Sequence, residues 1–62
     1  MLTDYIGNRV RIIIRGKNKA IIGDYMTYKL DEPTARYFSK YRFKGVHNSL
    51  STGIIIIDMV KD

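Results

Sequence analysis

The sequence predicts a small, mostly β domain: a strongly bent barrel of four to five short strands with at most a short N-terminal helical turn. Two observations support this fold class. Apolar and polar residues alternate over several short segments, a pattern typical of strands with one buried face. Turn-forming residues separate these segments at GKNK (16–19), at DEPT (31–34) and within 46–53. At 62 residues, the chain is predicted to form one domain, 1–62, near the lower size limit for an independent core.

The first predicted strand spans 9–15 and has the sequence RVRIIIR. Val10, Ile12 and Ile14 fall on one face, while three arginines and another isoleucine fall on the opposite face. β-Branched side chains favour this extended conformation. The preceding residues, 1–8, leave room for one helical turn at most, because a Gly-Asn pair closes that segment.

The second predicted strand spans 20–30 and contains a break in its alternation. Asp24 falls on the same face as Ile22 and Met26, which are otherwise candidates for the core. A bulge or sharp bend at Gly23-Asp24 would remove this conflict, and small barrels need such bends in order to close.

The third predicted strand spans 35–45, with the sequence ARYFSKYRFKG, and follows the turn in which proline fixes φ. Alternate side chains place Tyr37 and Tyr41 on an aromatic face assigned to the core. The opposite face would be a row of four cations containing one aromatic ring. Its members are Arg36, Phe38, Lys40, Arg42 and Lys44.

The fourth predicted strand spans 54–60, after a loop at 46–53, and contains four consecutive isoleucines. Such a run lacks alternation, which indicates a strand covered on both faces or lying at a subunit interface. Four bent strands of this length predict an SH3-like barrel, whereas a flat meander would leave its edges exposed. The predicted core consists of Val10, Ile12, Ile14, Ile22, Met26, Tyr37, Tyr41, Ile54 and Ile56.

The distribution of charge favours a polyanionic partner, RNA or DNA. The net charge is +5, and residues 9–19 and 36–44 carry five and four cations respectively, with no acid in either segment. Clustered cations gain by releasing counterions from a phosphate backbone, whereas the alternative is a merely solvated basic surface. The 46–53 loop adds groups that can stack on bases or hydrogen-bond to them. The predicted nucleic-acid-binding residues are Arg9, Arg11, Arg15, Lys17, Lys19, Arg36, Phe38, Lys40, Arg42, Lys44, His47 and Asn48.

Catalysis finds little support in the sequence. His47 is the only histidine, there is no cysteine, and neither metal-ligand spacing nor a glycine-rich phosphate loop is present. We therefore expect no enzyme activity, no cofactor, no metal and no small-molecule substrate. No apolar run is long enough for a membrane span, and the N-terminal segment lacks the basic region of a signal peptide. A cytoplasmic location is the corresponding expectation.

Three segments carry a resemblance to a known family: YIGNRVRIII, the RGK turn and AIIGDY. Their order resembles the first motif of the Sm/LSm-like family of ring-forming RNA-binding barrels, in which a hydrophobic strand and a turn precede a strand bent at a glycine. The closing GIIIIDMV resembles that family's last strands. The resemblance implies an Sm-like barrel, a homo-oligomeric ring and RNA as the partner. The family's base-contacting asparagine and its second-motif glycine turn have no counterpart in this sequence.

Two other functions remain open at this stage. A monomeric SH3-like barrel could lie on duplex DNA through the same cations, as a chromatin or regulatory protein does. A protein–protein interaction module would instead use its exposed isoleucines and tyrosines, without nucleic acid. The mass in solution separates a ring from a monomer, and salt-sensitive binding to polyanions separates both from the interaction module.

Overall fold

Four strands form one mixed sheet, with a helix between the second and the third. The strands of the computed structural model, which describes all 62 residues, are β1 (Val10–Arg15), β2 (Ile21–Thr27), β3 (Arg42–Ser49) and β4 (Ile54–Val60). Helix α1 (Glu32–Phe38) follows β2, and a 3-10 turn occupies Leu2–Tyr5. The order across the sheet is β2-β1-β4-β3, with β1 and β4 parallel and both outer pairs antiparallel.

The sheet is open, because β2 and β3 form its two edges and do not pair with each other. The prediction of a mostly β domain with a short N-terminal helical turn is confirmed, whereas the open sheet does not confirm the predicted barrel. The molecule measures 29 × 26 × 16 Å, as expected for a sheet with one layer packed against it. Neither helical segment is long and apolar enough to cross a membrane.

The hydrophobic core lies on one face of the sheet, which we call the covered face. β1 follows its predicted alternation, and its three even-numbered apolar residues are buried. The 3-10 turn, α1 and the segment between β2 and α1 each bury one side chain against this face. The buried residues are Leu2, Val10, Ile12, Ile14, Leu30, Ala35, Ile57 and Met59.

The register between β1 and β4 determines which isoleucines of β4 are buried. Ile12 pairs with Ile57, and paired residues project to the same face of a sheet, so Ile57 joins the core. The prediction that Ile54 and Ile56 are core residues is therefore wrong. They alternate with Ile57 and are only half-buried, on or near the opposite face, which we call the open face.

The predicted β2 is too long, and two of its proposed core residues are exposed. Ile14 pairs with Gly23 and Arg15 with Ile21, which leaves Ile22 in a bulge next to the predicted bend. Asp24 and Met26 do share a face, as predicted, but it is the open face, where Asp24 meets a cation from β1. Ile22 and Met26 are consequently 54% and 51% exposed.

The predicted strand at 35–45 does not exist as a strand. The Asp31 side chain accepts a hydrogen bond of 2.8 Å from the Thr34 N–H, which caps the N-terminus of α1, and Pro33 lies in the first turn. Both features favour helix initiation, so DEPT is a helix start rather than a turn between strands. Only the last part of the segment is extended, as the beginning of β3.

Because this segment is helical, its side chains do not project to the two faces that the predicted strand assigned to them. Ala35 and Phe38, one turn apart, pack toward the sheet, whereas Tyr37 is 59% exposed and is not a core residue. Tyr41, which follows the helix, does pack against the core. The first half of the predicted 46–53 loop is strand, because β3 continues to Ser49, and a turn at 50–53 precedes β4.

Candidate nucleic-acid interface

Arg11 is committed to an ion pair on the open face. Its Nε and Nη2 donate to the two carboxylate oxygens of Asp24 at 3.0 and 2.6 Å. This hydrogen-bonded pairing lowers the pKa of Asp24 and raises the pKa of Arg11. A carboxylate that neutralises the guanidinium in this fork geometry leaves Arg11 a poor candidate for phosphate.

Arg9 is also engaged within the protein, at the start of β1. Its guanidinium lies over the ring of Tyr28, 5.0 Å from the centroid, and donates a hydrogen bond of 3.2 Å to the Thr52 carbonyl. These contacts link the end of β2 to the turn before β4. Arg9 therefore has a structural role on this side of the sheet.

The predicted row of cations at 36–44 is dispersed by the helix. Arg36 pairs with Glu32 one turn earlier in α1, with 3.0 Å between Nε and Oε1. Phe38 is half-buried among tyrosine rings instead of being presented beside the cations. The Lys40 ammonium lies 4.1 Å from the ring centroid of Tyr37. These three residues do not form one phosphate-binding line.

The sheet brings a different set of cations together at one end. Val60 of β4 has Arg15 of β1 as its neighbour on one side and Arg42 of β3 on the other. The β1–β2 turn and the start of β3 extend this row and enclose a concavity of about 300 Å³, which we call the basic concavity. It is lined by Arg15, Gly16, Lys17, Lys19, Arg42, Lys44, Val60 and Asp62.

Five cations surround the basic concavity, and its only acidic side chain is that of Asp62. Asp62 pairs with Arg42, with 3.1 Å between Nε and Oδ2. The three lysines of this set take part in no ion pair. The local field is therefore strongly positive, and the lysine ammonium groups are free to meet an anion.

The β1–β2 turn holds its part of the basic concavity in a defined shape. Lys19 adopts a left-handed conformation with φ of 68°, and its N–H donates to the Gly16 carbonyl at 3.0 Å. The Arg15 guanidinium donates to the Lys19 carbonyl at 3.1 Å, and the Asn18 side chain accepts from the Ala20 N–H. Hydrogen bonds thus fix both the turn and the arginine beside it.

His47 and Asn48 lie on β3, at the opposite end of that strand from the basic concavity. His47 projects to the open face beside Ile56, with its Nε2 3.9 Å from an Asp58 carboxylate oxygen. Asn48 pairs with Ile55 and therefore projects to the other face. The structure does not bring either residue to the cations. No three His, Cys, Asp or Glu side chains lie close enough together to hold a metal ion.

Sequence reasoning missed an aromatic cleft between α1 and the β2 edge. Three tyrosines surround the ring of Phe38, and the cleft beside them has a volume of about 630 Å³. Its aromatic members are Tyr25, Tyr37, Phe38 and Tyr41. Part of the signal was present, since Phe38 and Tyr41 are three residues apart, a spacing that brings side chains together in a helical turn.

No protein-family model, curated protein or solved structure matches this chain. The resemblance to Sm-like proteins thus stays a prediction. The geometry of the basic concavity and of the aromatic cleft carries the functional proposals.

Proposed function

We propose that the protein binds nucleic acid and holds its phosphate backbone at the basic concavity. The supporting observation is that cations from both acid-free segments, 9–19 and 36–44, surround one concavity that contains a single acidic side chain. Clustered cations attract a polyanion and release its condensed counterions, which drives binding without any reading of base sequence. Neither segment alone would supply such a site.

The two arginines and the lysines contribute differently to this proposal. A guanidinium can grip a phosphate with two parallel hydrogen bonds, whereas an ammonium acts as a point charge. Arg15 is already oriented by its hydrogen bond to the turn. Arg42 would exchange Asp62 for a phosphate at little cost, because both partners of that ion pair are more than half exposed.

The chemical class of the partner is a polynucleotide. RNA is the first to test, because the Sm-like resemblance implies RNA, and DNA is the alternative. The proposal includes no catalysis, cofactor or small-molecule substrate. It includes a cytoplasmic location, because a chain without cysteine suits a reducing compartment.

We also propose self-association through the open face. Ile56 and Val60 lie on either side of Asp58 on this face, Ile13 is diagonal to both, and each of the three is half-buried by its neighbours in the sheet. The 3-10 turn and α1 pack on the covered face, so these apolar side chains remain available to a second copy. Light scattering during size-exclusion chromatography tests this: a strictly monomeric mass at micromolar concentration would contradict it, and six or seven subunits would support an Sm-like ring.

The experiment for nucleic-acid binding measures how affinity depends on salt. Fluorescence anisotropy would follow labelled single-stranded RNA, single-stranded DNA and duplex DNA of about 15 nucleotides per strand from about 25 to 200 mM NaCl. We expect Lys17→Ala/Lys44→Ala to weaken binding and to lower the slope of log K against log salt by about 1.4 to 1.8. Both lysines are exposed and outside ion pairs, so the fold should be retained.

The matched control is Lys29→Ala/Arg36→Ala. It removes the same charge at two exposed positions outside the basic concavity, one after β2 and one in α1. We expect this variant to have the same slope of log K against log salt as the parent protein. Equal losses in the two double variants would place binding elsewhere, and no binding of any polynucleotide at low salt would overturn the proposal in favour of a protein–protein module.

A further inference from the structure

The aromatic cleft combines fixed rings with exposed ring surface. The Phe38 ring is the centre of the cluster, with centroid distances of 5.3 Å to Tyr25, 5.1 Å to Tyr37 and 6.5 Å to Tyr41. Phe38 and Tyr41 pack against the core, whereas Tyr25 and Tyr37 remain 39% and 59% exposed. The half-buried Phe38 thus holds the two exposed rings in place at the wall of an open cleft.

The aromatic cleft is continuous with the basic concavity. A third depression of about 400 Å³ lies between them. It shares Arg42, Val60 and Asp62 with the basic concavity and Tyr41 and Lys61 with the aromatic cleft, and Lys40 forms a further part of its wall. A surface track therefore runs from the cations of the basic concavity, past two further lysines, to the exposed rings.

We propose that the aromatic cleft binds an unpaired base of a single-stranded nucleic acid whose backbone lies along this track. This inference rests on the proposed function and names its ligand class. Stacking on tyrosine needs an accessible base face, which a single strand offers and a duplex hides between neighbouring base pairs. Along the track the cations precede the exposed rings, which is the order needed by a backbone that leads into a stacked base.

Charge complementarity favours this occupant over an apolar segment of a protein. Lys61 is the one cation lining the aromatic cleft, and Lys40 lies over the rings of Tyr37 and Tyr41 beside it. The only carboxylate in the lining belongs to Asp24, and Arg11 already neutralises it. An apolar partner segment would gain nothing from the two lysines, whereas a phosphate flanking a stacked base would pair with them.

The test compares three probes with the same backbone chemistry: a single-stranded oligothymidylate of about 15 nucleotides, an abasic oligomer of equal length, and a duplex. We expect the oligothymidylate to bind about 5- to 150-fold more tightly than the abasic oligomer, because only the former has a base to stack. Tyr37→Ala should remove most of that advantage and leave the affinity for the abasic oligomer unchanged. Tyr28→Ala is the matched control, since this exposed tyrosine lies outside the aromatic cleft.

A second readout does not depend on Tyr37→Ala folding correctly. The protein has no tryptophan, so its emission comes from five tyrosines, and stacking should quench part of it when oligothymidylate binds but not when the abasic oligomer binds. Tyr25→Leu should reduce the same quenching. Equal affinities for all three probes, or equal quenching by both oligomers, would overturn the aromatic site and leave the backbone proposal standing. Failure of every probe to bind would overturn the proposed function itself, and quenching that rises with protein concentration alone would assign the aromatic cleft to a second copy of the chain.

Discussion

The covered and open faces of the sheet contain the same kind of residue in opposite situations. Ile12 and Ile13 are neighbours in β1, and Ile56 and Ile57 are neighbours in β4. Ile12 and Ile57 have no exposed surface, because the 3-10 turn, Leu30 and α1 pack over their face. Ile13 and Ile56 project to the other face, which those elements do not cover, and are only half-buried.

This difference separates the face that holds the fold from the face that no other element covers. The covered face contains every fully buried side chain of the sheet, and none of the buried residues is polar. The open face instead carries the Arg11–Asp24 ion pair and the His47–Asp58 contact between its apolar residues. In a chain with so small a core, stability depends on one face, and the other tolerates charge.

The largest expected effect comes from placing a lysine on each face in turn. Ile12→Lys should prevent stable folding, because it buries an unpaired charge and costs more than about 4 kcal/mol. Ile13→Lys should change the free energy of unfolding by about 1 kcal/mol or less, since its neighbours across the sheet are Asp24 and Asp58. Far-UV circular dichroism during thermal unfolding distinguishes the two. An equal loss of stability in the two variants would contradict the difference in burial between the two faces.

Truncation of two neighbouring isoleucines in β4 should give the next largest difference in stability between the faces. Ile57→Ala leaves a cavity next to Ile12 and should cost about 2 to 5 kcal/mol. Ile56→Ala removes the same atoms from a half-buried position and should cost about 1 kcal/mol. Urea unfolding measures both values. A larger loss for Ile56→Ala would indicate that a second copy covers the open face, which size-exclusion chromatography of the variant would then show.

How much of this fold could be predicted depends on how strongly each segment is patterned. β1 was predicted correctly because its alternation of apolar and basic residues fixes both its conformation and its buried face. β4 was located correctly at 54–60, but four successive isoleucines do not alternate with polar residues. Which of them face the core could therefore be assigned only once the register with β1 was known. The segment 35–45 was wrong because chance alternation outweighed a genuine helix-start signal at Asp31 and Pro33.

The sequence predicted which types of residue form the candidate site but not where on the molecule they lie. Composition identified the cations, and the structure separates them into those engaged by acids or rings, such as Arg11, and those that are free, such as Lys17. The basic concavity exists because parallel pairing of β1 with β4 brings the ends of three strands together. Such non-local pairing leaves no trace in the spacing of Arg15 and Lys44 along the chain.

A smaller effect is expected at the cap of the helix that makes the covered face. Asp31→Ala removes the carboxylate that accepts the Thr34 N–H, so α1 should fray and the melting temperature should fall by less than in Ile57→Ala. Asp31→Asn keeps an oxygen acceptor and should restore most of the loss. Asp24→Ala is the matched change on the open face, where it removes only an exposed ion pair, and it should lower the melting temperature less than Asp31→Ala. The reverse order would contradict the role assigned to α1.

The smallest expected effect is the acid dependence of stability, to which each face contributes one carboxylate. The hydrogen bond from Arg11 lowers the pKa of Asp24, and the hydrogen bonds from Thr34 lower the pKa of Asp31, both below an ordinary value of 3.8. Because the unfolded chain binds protons at higher pH than the folded chain does, these carboxylates stabilise the fold fully above about pH 5. Their contribution is lost as the pH falls through the lowered pKa values of the folded protein.

Asp24→Asn and Asp31→Asn separate the two contributions. Each variant should show a smaller fall in melting temperature than the parent between neutral and acid pH, because it lacks one of the carboxylates that titrate. The variants should converge with the parent at acid pH, where protonation has already removed the difference in charge. An acid-induced fall as large as the parent's in Asp31→Asn alone would mean that the helix cap does not depend on the ionised carboxylate. The covered face would then be held by packing only, and the ion pair on the open face would account for the acid dependence.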